Sequence, residues 1–172
     1  MKPLKWMSLV LLVALLTHAA ILLSTPYLMM TGLYYWIDRE AGRGSVFIAE
    51  RPEHGNDRIV RSSPDLLYSV CAFRLKDGPL HVRSPVGGNY MSVSFFGHDT
   101  NNFFTLNDKQ VPDGFDILLV RRGTDVVLPE GVRLLESDSP YGVILFRYYL
   151  ADSEVRELDA LREAAICDRL VF

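Results

Sequence analysis

The sequence predicts a mainly β chain: an antiparallel β-sandwich or open barrel with a C-terminal helix, preceded by one transmembrane helix. Three observations carry this expectation. An almost unbroken apolar run fills Trp6 to Leu23, short apolar runs separated by turn residues follow from Ser45 onward, and one stretch with helical periodicity stands near the C-terminus. The 172 residues are enough for one domain with its own core. A formal net charge of −3 supplies no basic face, so a nucleic-acid partner is not expected.

The first element is MKPLKWMSLVLLVALLTHAAILLSTP. As a helix, its apolar run covers roughly 27 Å at about 1.5 Å per residue, close to the hydrocarbon thickness of a bilayer. Three readings stay open, an uncleaved signal anchor, a cleaved signal peptide and, least favoured, a soluble buried helix. The anchor is favoured, because the nearest cleavage candidate, Thr17-His18-Ala19-Ala20, puts a larger residue where a small one is wanted. Trp6 at one end and Tyr27, Tyr34, Tyr35 and Trp36 beyond the other fit two interfacial aromatic belts, and Lys2 and Lys5 favour a cytoplasmic N-terminus. His18 within the run reads first as a helix-contact residue and only second as an ion or proton site. Pro26, after Ser24 and Thr25, is placed to begin a new helix or to kink the first. The expected division is an anchor and interfacial segment over residues 1–37 and a β-rich domain over residues 38–172.

In that domain the expected strands are 45–50, 66–75, 79–83, 90–96, 116–122, 125–129, 132–137 and 143–150. The turns between them contain Asp-Gly-Pro, Gly-Gly-Asn, Pro-Asp-Gly and Ser-Asp-Ser-Pro, each a turn former for a backbone reason. Strands at this spacing point to a sandwich or barrel. In YMSVSFF, Met91, Val93 and Phe95 share one face and Ser92 and Ser94 the other, as a half-buried antiparallel strand requires. The final helix is DSEVRELDALREAAICDRL, capped by Asp152 or Ser153, with Val155, Leu158, Leu161 and Ala165 as its apolar stripe.

Cys71 falls in an expected strand and Cys167 at the end of the expected helix. Beyond the membrane an oxidising compartment permits their pairing, and two buried free thiols are the alternative. Neither has CxxC spacing, which argues against redox or zinc chemistry.

Polar candidates cluster in turns: His54 and Asp57, Asp65 and Tyr68, and His98, Asp99, Asn101 and Asn102 in GHDTNNFF. If the Asp65 and His98 loops met at one end of the sandwich, Asp65, Tyr68, His98 and Asp99 would form a ligand-binding or acid–base site. The plainer reading is structural, since Asp and Asn side chains stabilise turns through their own backbone. No HExxH, GxSxG, Walker or zinc pattern is present, so no catalytic residue, metal or cofactor is assigned. Phe95, Phe96, Phe103 and Phe104 are expected in the core, and Arg121, Arg122 and Arg147 solvated or paired rather than forming an anion site.

The segment LLYSVCAFRLKDGPLHVRSPVGGNYMSVSFFGHDTNNFFTLND resembles the bacterial family catalogued as domain of unknown function 1254, in particular its short membrane-anchored members. The family's Asn-Pro-Asp-Thr-Leu-Tyr motif stands here as Ser63-Pro64-Asp65-Leu66-Leu67-Tyr68, followed by Asp77-Gly78-Pro79 and an aromatic-Ser strand at Tyr90 to Ser92. Ser63 and Leu66 depart from it. The short members are also similar in His18 before Pro26 and in cysteines at the positions of Cys71 and Cys167. The resemblance implies a sandwich-like envelope domain, a Cys71–Cys167 pair and a membrane-anchored sister protein as partner, with no established reaction. The expectation is a bacterial inner-membrane protein, N-terminus cytoplasmic and main domain periplasmic, acting as an interaction or assembly module rather than an enzyme. The alternative is an envelope enzyme or small-ligand or metal binder using the His98 and Asp65 loops.

Overall fold

A computed structural model of the chain describes residues 2–42, 44–51, 62–87, 90–150 and 155–169. Helix α1 (Lys2–Ala41) runs through 40 residues, roughly 60 Å at about 1.5 Å per residue. Pro26 lies inside it and does not begin a new helix. Its ring removes one N–H from the ladder, while the Thr25 hydroxyl donates to the Ile21 carbonyl at 2.6 Å and the Ser24 hydroxyl reaches the same oxygen at 3.3 Å. The helix is long and apolar enough to cross a membrane, and its most apolar window is unburied. The division expected after residue 37 therefore falls within one continuous helix.

Nine strands follow: β1 (Val46–Ile48), β2 (Leu66–Arg74), β3 (Leu80–Ser84), β4 (Met91–Gly97), β5 (Asn102–Asn107), β6 (Phe115–Arg121), β7 (Arg133–Ser137), β8 (Tyr141–Tyr149) and β9 (Ile166–Arg169). Helix α2 (Val155–Glu163) stands between β8 and β9. The first sheet has the order β1-β2-β8-β4-β5 and is antiparallel throughout. The second has the order β7-β6-β3-β9, antiparallel except that β7 runs parallel to β6. The inward residues of both sheets make one core, with Leu67, Phe73, Val93, Phe95, Ile144 and Phe146 facing Leu80, Val82, Ile117 and Leu119. That is a sandwich; Met91, Val93 and Phe95 share its inner face as expected, but β4 is not half-buried, because Ser92 and Ser94 on the other face are buried too.

Three expected boundaries differ. Residues 125–129 form no strand: Val127 is 90% exposed, and β6 takes β7 as its neighbour instead. Asn102–Asn107, expected as loop, forms β5 against β4. Helix α2 stops at Glu163, so Cys167 sits on a strand rather than a helix end. There the β-branched Ile166 pairs with Arg83 and Cys167 with Val82, and tertiary pairing overrides the helix propensity of Ala164 and Ala165. Of the expected helix stripe, Leu158 and Ala165 are buried and Leu161 packs on the core, while Val155 is exposed. The caps Asp152 and Ser153 lie outside the described residues.

A second, smaller core forms on the outer face of the first sheet. Met30 and Ile37 of α1 pack against Val70 of β2 and Val143 of β8, flanked by Trp36, Phe47, Phe96 and Leu145. Tyr34 is buried here, and Trp36 meets the Phe47 ring edge-on at 5.1 Å. These two residues therefore face protein, leaving Tyr27 and Tyr35 as the exposed aromatics of the expected second belt.

Candidate functional site

The His98 loop is built by a pair of glycines. Gly97 ends β4 and faces Gly142 at the start of β8. A Cβ at Gly97 would lie 2.2 Å from Ser139 Oγ, and one at Gly142 would lie 2.0 Å from the Phe96 carbonyl oxygen, so neither position has room for a side chain. Into the space left open at Gly97 comes Ser139, whose Oγ accepts the His98 backbone N–H at 3.3 Å and lies 2.9 Å from His98 Nδ1. The imidazole is bracketed edge-on by Tyr27 of α1 at 5.2 Å and Tyr141 of β8 at 5.7 Å. Thr31 of α1 bonds the Tyr141 hydroxyl at 2.8 Å. His98 therefore stands where the helix meets the sandwich.

A histidine beside a serine hydroxyl has the outline of a nucleophile and its base. Asp99 does not supply a third member to this pair: both oxygens of its carboxylate are turned to Asn101, at 3.2 Å from its backbone nitrogen and 2.6 Å from its side chain. Asp99 closes the tight turn from Gly97 to Asn101, in which Thr100 adopts a left-handed φ of 67°.

Asp65 and Tyr68 sit at the opposite end. The turn before β2 is held by Ser63, which accepts the Leu66 N–H through its carbonyl at 3.2 Å and donates its own N–H to the Tyr68 hydroxyl at 2.8 Å. The Asp65 carbonyl accepts the Leu150 N–H at 2.8 Å, while its side chain points into an exposed position. Register fixes the separation: Leu66 pairs with Tyr149, whereas Gly97 pairs with Gly142. Seven residues of β8 at about 3.4 Å each put the two loops roughly 24 Å apart. The composite site that needs Asp65 and Tyr68 beside His98 and Asp99 does not form, because the loops cap opposite ends of one sheet. His54 and Asp57 lie outside the described residues.

Three features were not anticipated from sequence. Arg162 of α2 is only 4% exposed, and its guanidinium bonds Ser69 Oγ at 3.2 Å, Asp159 at 2.6 Å, the Tyr68 carbonyl at 2.7 Å and the Ala49 carbonyl. A cleft of about 800 Å³ opens beside the second sheet, lined by Arg83, Asp113, Asp116 and Glu130 among others, with His81 bonded to Asp116 at its edge. None of the residues singled out in the sequence lines it. Finally, Arg122 pairs with Asp138 at 2.7 Å as expected, but Arg147 is half-buried with no acidic partner among the described residues. Phe95 is wholly buried, and Phe96, Phe103 and Phe104 pack at the margins of the two cores.

Comparison with known proteins gives a fold and a family. The crystal structure of the VPA0106 protein from Vibrio parahaemolyticus superposes with a TM-score of 0.60 at 12% identity, over 84% of this chain and 36% of that one. An uncharacterized protein from Burkholderia cenocepacia gives a TM-score of 0.47 at 13% identity, over 69% of this chain and 33% of its own. The chain thus spans about a third of the solved structures it matches. No curated protein matches it. A sequence model of one family matches residues 45–168, the whole sandwich from before β1 to β9, and the chain belongs to that family, described as protein of unknown function (DUF1254).

Proposed function

We propose that the protein is a membrane-tethered interaction module: α1 crosses a bacterial inner membrane from a cytoplasmic N-terminus, and the sandwich works in the periplasm beside a second membrane-anchored protein. The observation that carries this reading is the unbroken path of α1 from an unburied apolar half into a half that packs on the sheet. A tether of that kind fixes the height and orientation of the domain, with the His98 end toward the bilayer. The Cys71–Cys167 disulfide supports an oxidising compartment.

A partner is argued from what remains uncovered. With Leu4 to Leu23 filling the hydrocarbon, Leu33 and Tyr35 stand roughly 15 to 18 Å farther along the helix, outside the lipid core. Leu28 (68%), Met29 (65%) and Tyr35 (60%) nevertheless remain exposed on α1, and Leu33 is partly exposed beside them. Apolar groups that neither lipid nor sandwich covers mark a protein contact. The second anchored protein would lay an apolar helix along this stripe.

The test uses the full chain in its membrane. Alkaline extraction, N-terminal sequencing and thiol alkylation before and after reduction are expected to find an intact, membrane-integral, oxidised protein. Cross-linking before detergent extraction is expected to capture a membrane protein that Tyr35→Glu releases. A mature chain beginning beyond Leu23, or thiols that alkylate without reductant, overturns the tether; a chain that runs alone after cross-linking overturns the interaction.

A further inference from the structure

The outer face of the first sheet is divided. Toward the His98 end its residues are Val70, Ala72, Leu145, Val143 and Phe96, and they pack with α1. Toward the other end the row across the strands reads Tyr68, Arg147, Ser92, Asn107, by direct pairing of Tyr68 with Arg147, Arg147 with Ser92, and Ser92 with Asn107. Ser94, paired with Thr105, lies diagonally beside Arg147. The group borders Leu145, which pairs directly with Ser94.

Two observations set it apart from an ordinary solvated face. Ser92 and Ser94 are 3% and 2% exposed although they point away from the main core, and Ser92 Oγ has no hydrogen-bond partner among the described residues. Buried hydroxyls are normally satisfied, and each exception calls for a reason. The second observation is the guanidinium itself. Arg147 Nη1 donates to Ser94 Oγ at 3.0 Å, and none of the ion pairs among the described residues involves it. Asp108, whose Oδ1 is also buried without a hydrogen-bond partner among the described residues, follows β5, and none of the ion pairs among those residues joins it to Arg147. A half-buried cation with four of its five donors uncommitted by these bonds, next to a buried hydroxyl in the same state, lacks one component: a planar or tetrahedral oxyanion.

We propose that Arg147, Ser92 and Ser94 form a binding site for a small oxyanion, the carboxylate or phosphate group of a solute. The guanidinium fork engages two oxygens, and Ser92 Oγ donates to one of them. The site is at the end of the sheet opposite the His98 junction, so the solute arrives from the aqueous side, and the inference stands whether or not a partner lies along α1.

The experiment is titration calorimetry on the full chain in detergent micelles, with inorganic phosphate and acetate in separate arms and chloride holding ionic strength constant. Saturable binding in one arm or both is expected, and the arm names the source: phosphate alone for a phosphorylated solute, acetate alone for a carboxylate, both for either. Arg147→Gln should weaken binding at least about tenfold, the scale of losing charge-assisted bonds, and Ser92→Ala should weaken it by a smaller factor. Arg147→Lys, which keeps the charge and loses the fork, guards against a folding defect and should fall between wild type and Arg147→Gln. Absence of saturation in both arms, or affinities equal in wild type, Arg147→Lys and Ser92→Ala, overturns the site.

Discussion

Cys71 on β2 and Cys167 on β9 are bonded through the core, joining the two sheets with Cα atoms 6.5 Å apart. β9 is a four-residue edge strand that among the described residues pairs with β3 alone; the disulfide and the Arg169–Asp77 ion pair at 3.1 Å are its further holds on the sandwich. With a sequence separation of 96 between the cysteines, loop-closure entropy puts the stabilisation at about 4 to 5 kcal/mol. Replacing both cysteines with alanine should lower the urea midpoint accordingly, and hydrogen exchange should accelerate first in β9 and α2. An unchanged midpoint would remove the disulfide from the forces that hold the sheets together.

Ile37 is the fully buried contact of the smaller core and belongs to α1, not to the sandwich. Ile37→Ala should cost about 2 to 4 kcal/mol of local packing. Because the main core does not include it, the loss is expected as release of the α1 segment near residues 28–41 with the sandwich intact. Amide exchange resolved by peptide checks this: faster exchange in α1 alone agrees, whereas equal acceleration in β4 and β8 contradicts it.

Arg162 is more important for the carbonyls it satisfies than for its ion pair. Asp159, its carboxylate partner, is 42% exposed, and a pair open to water contributes only about 0 to 1 kcal/mol. The Ala49 and Tyr68 carbonyls and Ser69 Oγ receive its other donors where water is excluded. Arg162→Met should therefore destabilise by roughly 3 to 5 kcal/mol, and Asp159→Asn by no more than about 1. Equal losses from the two substitutions, measured by urea unfolding, would assign the role to the ion pair instead.

What the sequence carried most plainly was local. β2, β4 and β8 are framed by turn residues and, in β4, by strict alternation, so their existence and faces follow from short-range pattern. β9 was hidden because Ala164, Ala165 and Ile166 continue a good helix, and only pairing with β3 ends it. β5 was hidden because it begins at Asn102, in a run of turn formers. The unbroken α1 was masked by Pro26, a residue that in sequence reads as the start of a helix or a kink, yet sits inside this one. At the candidate sites the residue types were legible and their company was not. Asp65 and His98 are separated by strand register, which pattern does not reveal, and Arg162 looks in sequence like any solvent-facing helix arginine.

Tyr148 supplies a pH dependence whose direction can be worked out. Its ring lies in the main core, and burial pushes the phenol above its ordinary value near 10, against smaller lowering effects from the Ser84 hydroxyl and the positive charge of Arg162. Below pH 10 both the folded and unfolded phenols are protonated, and the contribution to stability is fully present. As pH rises past 10 the unfolded chain releases its proton while the folded chain keeps it, so the unfolded state gains and stability falls until the folded value is passed. The limiting slope is about 1.4 kcal/mol per pH unit. Tyr148→Phe removes this term while leaving every other tyrosine in place. Urea midpoints of the two chains at pH 8, 9, 10 and 11 should keep a constant gap up to about pH 10 and then shift in favour of the phenylalanine variant; a gap that stays constant to pH 11 would show that the buried phenol ionises as readily as an exposed one.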